Sequence, residues 1–288
     1  MTPNIRPFFL EVTSAWKLVS SRWKTLLKLV VVPLVPFALT IPYIMELLNS
    51  IQYGELPALQ GATIFNFVIA FIAGVAFFVA GIITKASILH TLSQPKDLGA
   101  RVALNKGSNI FFHFLWTEII VSVYLAFSYL PFAILIFWYE NTGATWFASI
   151  FDPILASIIL GLLGIIFLLP LIMAVIWLSF ASLITVTGDA KAGLDSLTYS
   201  TTIIRKNFWL VTLRLIGWVI FSYILTQAVQ PLPYMRWIIP FLLMLTGAAF
   251  VVVLYKDARG TESPEPVVIS TPKVVRKSKP RIKTPTVI

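Results

Sequence analysis

Few side chains in the apolar parts of this chain could do chemistry, and their spacing brings no two of them together. They are Glu46, Lys85, His90, His113, Glu118 and Arg214. His113 and Glu118 are five residues apart, which on a helix separates them by roughly 140 degrees, so they do not form one acid–base pair. The chain contains neither HExxH nor GxSxG, and it has no glycine-rich loop of the kind that binds phosphate. These absences favour a role without catalysis.

Metal and disulfide chemistry is also unsupported, because the chain has no cysteine and two histidines. The hydroxyl-rich segment 196–202 contains no histidine or acidic residue that could activate one of its serines or threonines. We therefore expect no metal, no cofactor and no catalytic residue.

Composition indicates where the chain resides. Of its 288 residues, 58% are hydrophobic and 12% are charged, and the mean hydropathy is +0.88. A soluble protein of this size could not cover its surface with so few charged side chains. The sequence therefore predicts an all-α integral membrane protein.

Six apolar stretches are long enough to cross a bilayer, since a spanning helix needs about 20 apolar residues. They lie near 25–47, 63–90, 110–138, 154–186, 208–229 and 234–255. We predict a six-helix transmembrane domain over 1–255 and a disordered basic cytoplasmic tail over 256–288. Pro131, Pro170 and Pro240 lie inside these spans and are the expected kink points.

The positions of the basic residues predict the orientation, because Lys and Arg that flank membrane spans stay on the cytoplasmic side. Of the 22 basic residues, 21 lie in or beside the N-terminal segment, the connections 91–107 and 188–206, and the segment after the sixth span. Arg236 alone borders the opposite side. We predict a multi-pass protein of the cytoplasmic (inner) membrane with both termini in the cytoplasm.

Each cytoplasmic connection has the pattern of a short interfacial helix that leads into an odd-numbered span. The first carries Phe9, Val12, Trp16, Val19 and Trp23 at three- and four-residue steps. Tryptophan suits the headgroup level of a bilayer, so Trp16, Trp23 and Trp209 are the predicted interfacial anchors.

The third connection, 189–206, repeats this pattern more weakly, with Asp189 as the predicted N-cap of its helix. A shift of 186 residues superposes Trp23 on Trp209 and Lys28 on Arg214, and a looser copy surrounds residues 103–116. We predict three loosely repeated hairpin units, each an interfacial helix, an outward span, an external turn and a returning span. The external turn 140–152 has an apolar cluster of its own and is expected to form a half-turn or two that lies on the outer membrane surface.

Glu118 lies eight or nine residues into the third span, a position that we predict to be near mid-membrane, where an unpaired ionised side chain costs at least about 2.5 to 3.5 kcal/mol. We hypothesise that it pairs with Arg214 of the fifth span, which lies at a similar depth. Two alternatives remain: Arg214 reaches the headgroups and leaves Glu118 protonated, or Glu118 bonds to His113. A lone protonatable Glu118 would favour proton-coupled transport.

The tail carries a cluster of six basic residues without an acid, namely Lys273, Arg276, Lys277, Lys279, Arg281 and Lys283. An anionic leaflet attracts such a segment by about 1 kcal/mol per basic residue near the surface. No aromatic residue lies between these charges for base stacking, so we expect no nucleic acid partner. The expected partners are the lipid bilayer and its anionic lipids, with a membrane protein or a second copy of the chain beside them.

The segment Gly193–Trp209, GLDSLTYSTTIIRKNFW, directly precedes an apolar span. It resembles an element of a bacterial membrane family, the membrane domain fused to some glycerophosphodiester phosphodiesterases and its stand-alone relatives. The segment Ala15–Trp23 looks like a degenerate copy, and the six-span layout extends the similarity over roughly 8–255. Because no hydrophilic catalytic domain accompanies the spans here, the resemblance implies a bacterial helical membrane module and not phosphodiesterase activity.

Three functions compete on these observations. The first is a non-catalytic membrane module that organises or regulates membrane partners or lipids, supported by the interfacial helices and the basic tail. The second is a small-solute or proton-coupled transporter or channel, supported by Glu118, Arg214 and the prolines, although spans two and four are almost devoid of polar residues. The third is a membrane-embedded lipid enzyme, which would need acids or histidines clustered at headgroup depth.

Overall fold

The computed structural model describes residues 7–52 and 61–260, and every regular element in these ranges is helical. A π-helical segment, Tyr139–Gly143, joins two of the α-helices. In chain order the α-helices are α1 Phe8–Ser21, α2 Trp23–Gln52, α3 Gly61–Ser93, α4 Ala100–Asn109, α5 Phe111–Trp138, α6 Ala144–Ile150, α7 Pro153–Leu178, α8 Ala181–Thr187, α9 Leu194–Lys206, α10 Phe208–Val229 and α11 Met235–Arg259.

The six predicted spans are confirmed as six long apolar helical segments. Five of them correspond to single helices, α2, α3, α5, α10 and α11, and the fourth is formed by α7 and α8 together. All six are long and apolar enough to cross a bilayer. The chain is therefore an all-helical, multi-pass membrane protein.

The fourth span breaks at Ser179 and Phe180, nine residues after Pro170. Phe180 is fully buried there, and its ring centroid lies 5.4 Å from that of Tyr255 on α11. Pro131, Pro170 and Pro240 each lie inside a helix that is continuous on both sides. Packing of Phe180, and not a proline, therefore accompanies the break in this span.

One residue forms an elbow between the first helix of each unit and its outward span. Arg22 joins α1 to α2, Ile110 joins α4 to α5, and Asn207 joins α9 to α10. Their backbone angles are alike, with φ of −117°, −99° and −125° and ψ of 14°, 4° and 30°. The three units therefore repeat in structure. Arg22 is equivalent to Asn207 at a shift of 185 residues, one fewer than the shift of 186 predicted from the sequence.

At the first and third elbows, the side chain of the elbow residue donates hydrogen bonds to the returning span of the same unit. The Arg22 guanidinium donates to the carbonyls of Thr91 and Gln94 at the end of α3, and Asn207 Nδ2 donates to Ala258 O of α11 over 2.8 Å. The last carbonyls of a helix have no partner within the helix, so these bonds satisfy them. The second unit, with Ile110, ends its span at Gly188, whose φ of +77° permits a left-handed cap.

The buried residues concentrate in one layer, which we call the base. The base consists of residues 8–29, 84–118, 174–214 and 245–259. Among the side chains that the structure describes, the buried ones outside the base are Phe147 in the external connection and Ala156 in the first turn of α7. The protein core therefore lies at one end of the spans.

The remaining parts of the spans, which we call the outer halves, contain no buried side chain in the described ranges 30–45, 65–83, 119–138, 157–173 and 215–244. They approach one another as the hairpins α2/α3, α5/α7 and α10/α11. Phe37 and Phe77 meet in the first hairpin, with ring centroids 5.4 Å apart, and in the third hairpin Trp218 of the outer half stacks on Phe250 of the base at 5.1 Å. The three hairpins are thus joined by the base and do not enclose a core beyond it.

The external connection folds locally, as predicted for 140–152. The π-helical segment and α6 bring Trp138, Trp146, Phe147 and Phe151 into one aromatic cluster, with ring centroids between 5.2 and 6.5 Å apart. Asp152 caps α7 by accepting from Ile154 N–H over 3.0 Å.

Three sequence predictions need adjustment or lie outside the described ranges. Asp189 is not an N-cap, because α9 begins at Leu194 after Gly193. The sixth span continues through Arg259, four residues past the predicted end of the transmembrane domain. The basic cluster 273–283 lies beyond residue 260, outside the part of the chain that the structure describes.

Candidate functional site

The polar group closest to the outer halves is built around Glu118, and we call it the boundary cluster: Lys85 of α3, Glu118 of α5 and Ser182 of α8. Lys85 Nζ lies 2.7 Å from Glu118 Oε2, and Ser182 Oγ donates to Glu118 Oε1 over 2.6 Å. The predicted pair of Glu118 with Arg214 is therefore wrong. The carboxylate instead joins three helices of the first and second units.

A second hydrogen-bonded group lies directly beneath the boundary cluster. Thr117 Oγ1 is 3.0 Å from Thr185 Oγ1 and accepts the N–H of Gly193 over 2.9 Å. Gly193 has a φ of +85°, and a Cβ at this position would lie 2.8 Å from the Trp116 indole. The segment that follows Gly193 is thus attached to α5 through a position that only glycine occupies without strain.

Arg214 belongs to a different part of the base. Its Nη1 lies 3.0 Å from Oε2 of Glu11 on α1, and the side chains are 11% and 2% exposed. The first turn of α1 also contacts the third hairpin, because the ring centroids of Phe8 and Phe250 are 5.9 Å apart. This ion pair therefore attaches the N-terminal helix to the fifth and sixth spans.

One carboxylate oxygen of Asp189, in the turn between α8 and α9, accepts three hydrogen bonds. Oδ2 accepts from Thr187 Oγ1 and Tyr255 Oη over 2.6 Å each and from Arg259 Nη1 over 2.8 Å. Lys256 Nζ, one turn before Arg259, donates to Ser93 O over 2.9 Å. The end of α11 is therefore attached both to α3 and to the turn after α8.

Burial affects the Arg22 guanidinium at the first elbow. The Arg22 guanidinium is 4% exposed at the elbow before α2. Desolvation lowers the pKa of Arg22, and the nearby Asp97 carboxylate acts in the opposite direction. Asp97 is itself held by Thr25 Oγ1 over 2.9 Å. These contacts connect the first elbow to the connection between α3 and α4.

The two histidines do not join the boundary cluster. His113 is exposed on α5, and the structure places no hydrogen bond between its ring and Glu118, so the predicted alternative pairing is also wrong. His90 is buried near the end of α3. In the described ranges no three His, Asp or Glu side chains are grouped in a way that could hold a metal ion.

The predicted tryptophan anchors are all exposed at the base. Trp16 is 47% exposed, Trp23 39% and Trp209 72%. The face of α1 that is buried carries Glu11, Ala15 and Val19 instead. Contact of the three tryptophans with lipid headgroups stays a prediction.

Sequence reasoning missed Ser182 and Glu11 as partners, and it named Lys85 as a candidate without pairing it with Glu118. The lengths of the uncharged stretches beside Lys85 and Glu118 indicate where the boundary cluster lies along the spans. The 20 residues before Lys85 and the 20 after Glu118 contain no charged side chain. About 20 residues of helix cross the hydrocarbon of a bilayer, so both charges fall at the same end of their apolar stretches. Glu118 is therefore a boundary residue and not a mid-span residue.

Comparison with protein-family profiles, with curated proteins and with solved structures finds no match for this chain. The geometry of the base and of the outer halves is therefore what any functional argument must use.

Proposed function

We propose that this chain is a non-catalytic membrane module that organises lipids and membrane partners. The observation that supports it is the division of the molecule into two layers. In the base, polar side chains such as Glu11, Glu118 and Asp189 bond to other parts of the same chain. In the outer halves of the described spans nothing is buried, so their apolar side chains are available to lipid chains or to the helices of a partner.

The level of the charges supports this arrangement in a bilayer. An apolar stretch of about 20 residues matches roughly 30 Å of hydrocarbon, which aligns the outer halves with the membrane interior. Lys85, Glu118 and Arg214 then lie at one boundary, and the base lies among the headgroups. We propose that this boundary is the cytoplasmic face of the inner membrane, because the base contains nearly all basic residues of the described ranges.

Transport fits the arrangement less well. A transporter needs its polar intramembrane groups around one pathway. Glu118 is bonded to α3 and α8, whereas Arg214 is bonded to α1, and His113 is exposed away from both pairs. The same distribution disfavours a lipid enzyme, because Ser182 donates its proton to a carboxylate already paired with a lysine.

The family resemblance and the partners remain part of the proposal. The segment Gly193–Trp209, which carries the resemblance, contains the whole of α9, the residue on either side of it and the first two residues of α10. Its role here is to attach α9 to α5 and, through Asn207, to α11. A membrane module of this kind would act through anionic lipids, a membrane protein partner or a second copy of the chain.

The proposal is tested by extracting the protein with its surrounding lipids in polymer-bounded nanodiscs. We expect the retained lipids to be enriched in anionic species relative to the bulk membrane, and crosslinking in cells to capture a recurrent membrane partner. Replacing the exposed pair Arg205 and Lys206 by Gln should reduce the enrichment, whereas Thr145→Ser at the opposite end should not. Proteoliposomes that move a solute in a Glu118-dependent way, without lipid enrichment or a partner, would overturn the proposal.

A further inference from the structure

We propose that the seam between α3 and α5 holds one phospholipid, whose phosphate lies against the ammonium of Lys85 and whose acyl chains lie between the two outer halves. This inference rests on the proposed lipid-organising function and names the lipid class and the place where it binds. It assigns to Lys85 a ligand contact in addition to its ion pair with Glu118.

The Lys85 ammonium is held in place but not enclosed. Its Nζ is 2.7 Å from Glu118 Oε2 and 5.8 Å from the centroid of the Phe114 ring, whereas the lysine side chain is 53% exposed and that of Glu118 17%. An ammonium has three N–H donors, and Glu118 accepts one of them. Because the lysine side chain is 53% exposed, the other two can donate to a phosphate oxygen that approaches from outside the protein.

The level of this ammonium matches that of lipid phosphates. Thr84, the residue before Lys85, donates from Oγ1 to Leu29 O of α2 over 3.4 Å. The end of the apolar stretch of α3 therefore lies beside the start of the apolar stretch of α2. All three stretches, beginning at 29, ending at 84 and beginning at 119, meet at this level. A lysine at the edge of the hydrocarbon extends its charge towards the headgroups.

The seam is closed below Lys85 and open above it. Beneath the cluster, Phe114 and Thr117 are fully buried. Above it, none of the described side chains of α3 between 65 and 83 or of α5 between 119 and 138 is buried. Every described side chain along these two stretches is therefore at least partly exposed. They are almost all apolar, as acyl chains require.

Lipid is the ligand that fits both parts of the seam. A soluble phosphate would contact Lys85 alone and would be weakened by the neighbouring Glu118 carboxylate. A phosphodiester lipid carries a single negative charge at its phosphate and gains apolar contact along about 15 Å of each helix within one leaflet. The acyl chains therefore supply the affinity, and Lys85 fixes the depth of the headgroup.

The experiment is native mass spectrometry of the full chain titrated with phosphatidylglycerol, with Lys85→Gln as the test and Lys28→Gln as the matched control. Lys28 is exposed at the same level on α2, outside the seam. We expect Lys85→Gln to raise the Kd of the tightest lipid about tenfold and Lys28→Gln to leave it unchanged. The double variant Lys85→Gln/Glu118→Gln, which removes both charges, should show the same loss while avoiding an uncompensated carboxylate.

Two further arms identify the source of the phosphate and the position of the chains. Glycerol 3-phosphate should not displace the lipid at concentrations where phosphatidylglycerol does, and a diazirine in the acyl chain should crosslink to residues within 65–83 and 119–138. Equal Kd values for the Lys85 and Lys28 variants, full displacement by glycerol 3-phosphate, or crosslinks confined to the third hairpin would each overturn the inference. If Lys85→Gln leaves the lipid Kd unchanged while anionic lipids are still enriched around the protein, only the lipid site in the seam is refuted. If Lys85→Gln raises the lipid Kd but proteoliposomes move a solute, only the proposed function is refuted.

Discussion

Arg214 of the fifth span lies 3.0 Å from Glu11 of the N-terminal helix, although 203 residues separate them in the chain. The contact closes the base, because it attaches the first helix of the first unit to the outward span of the third. Phe8 beside Phe250 and Gly217 reinforces the same junction. Both partners are nearly buried, so the pair should matter for stability.

Removing one partner of this ion pair should destabilise the protein more, for each side chain changed, than removing both partners together. Glu11→Gln or Arg214→Gln alone leaves a nearly buried charge uncompensated, and we expect each to destabilise the protein by about 3 to 5 kcal/mol. The double variant should lose less than the sum of the two. The measurement is a double-mutant cycle on unfolding free energies in detergent. In the companion cycle, Glu118→Gln with Arg214→Gln should be additive, and a coupling of more than about 0.5 kcal/mol there would contradict the assigned partners.

Gly193 should tolerate no side chain, for two separable reasons. Its backbone, with φ of +85° and ψ of −132°, lies in a region that side chains rarely adopt and that costs a non-glycine residue about 1 to 3 kcal/mol, and a Cβ would overlap the Trp116 indole at 2.8 Å. Gly99 has an extended backbone of positive φ as well, with φ of +77° and ψ of 154°, and nothing lies within 4 Å of its Cβ position. Gly193→Ala should therefore lower the thermal midpoint clearly more than Gly99→Ala. Equal losses would mean that the overlap is relieved without cost.

The third elbow should control the end of the sixth span. Asn207→Ala removes the bond to Ala258 O, and we expect a loss of about 1 to 2 kcal/mol because the carbonyl is left without that donor. Hydrogen exchange should rise locally at residues 255–260 before global unfolding changes. Asn105→Ala, on an exposed position of α4, serves as the control. Unchanged exchange at the end of α11 would argue against a role for this elbow.

The orientation is open to direct labelling, because the chain contains no cysteine that would need to be removed. Ser108→Cys, exposed on α4, should react with an impermeant maleimide from the cytoplasmic side, and Thr145→Cys on α6 from the opposite side. The two positions lie at opposite ends of α5, so the expected pattern is reciprocal. Reaction of residue 145 from the cytoplasm alone would reverse the topology.

The tail beyond Gly260 should bind membranes without contributing to folding. Its six basic residues between 273 and 283 should hold it to anionic vesicles, with an affinity that falls as salt rises. A chain ending at 260 should unfold at the same temperature as the full chain but bind vesicles more weakly. If neutral replacement of the six residues left vesicle binding unchanged, the electrostatic explanation would fail.

Sequence alone determined the spans and the repeat, because both depend on local patterns. About 20 apolar residues in succession must form a helix in a bilayer, where backbone groups find no other partner. The predicted bounds 110–138 and 208–229 differ from α5 and α10 by at most one residue at either end. The aromatic external turn at 140–152 was predictable for the same reason, since its cluster forms between neighbours in the chain.

Tertiary structure alone decided which charges meet. Glu118 and Arg214 are at similar distances from their elbows, so depth suggested a pair, but depth says nothing about which helices are adjacent. Packing of α8 and α3 beside α5 gave Glu118 its serine and lysine partners, and packing of α1 against the third hairpin gave Arg214 its glutamate. The elbow conformation and the break at Ser179 are likewise set by contacts across the base. A hydrophobic pattern determines which residues enter the membrane, whereas partner choice depends on the arrangement of the units around one another.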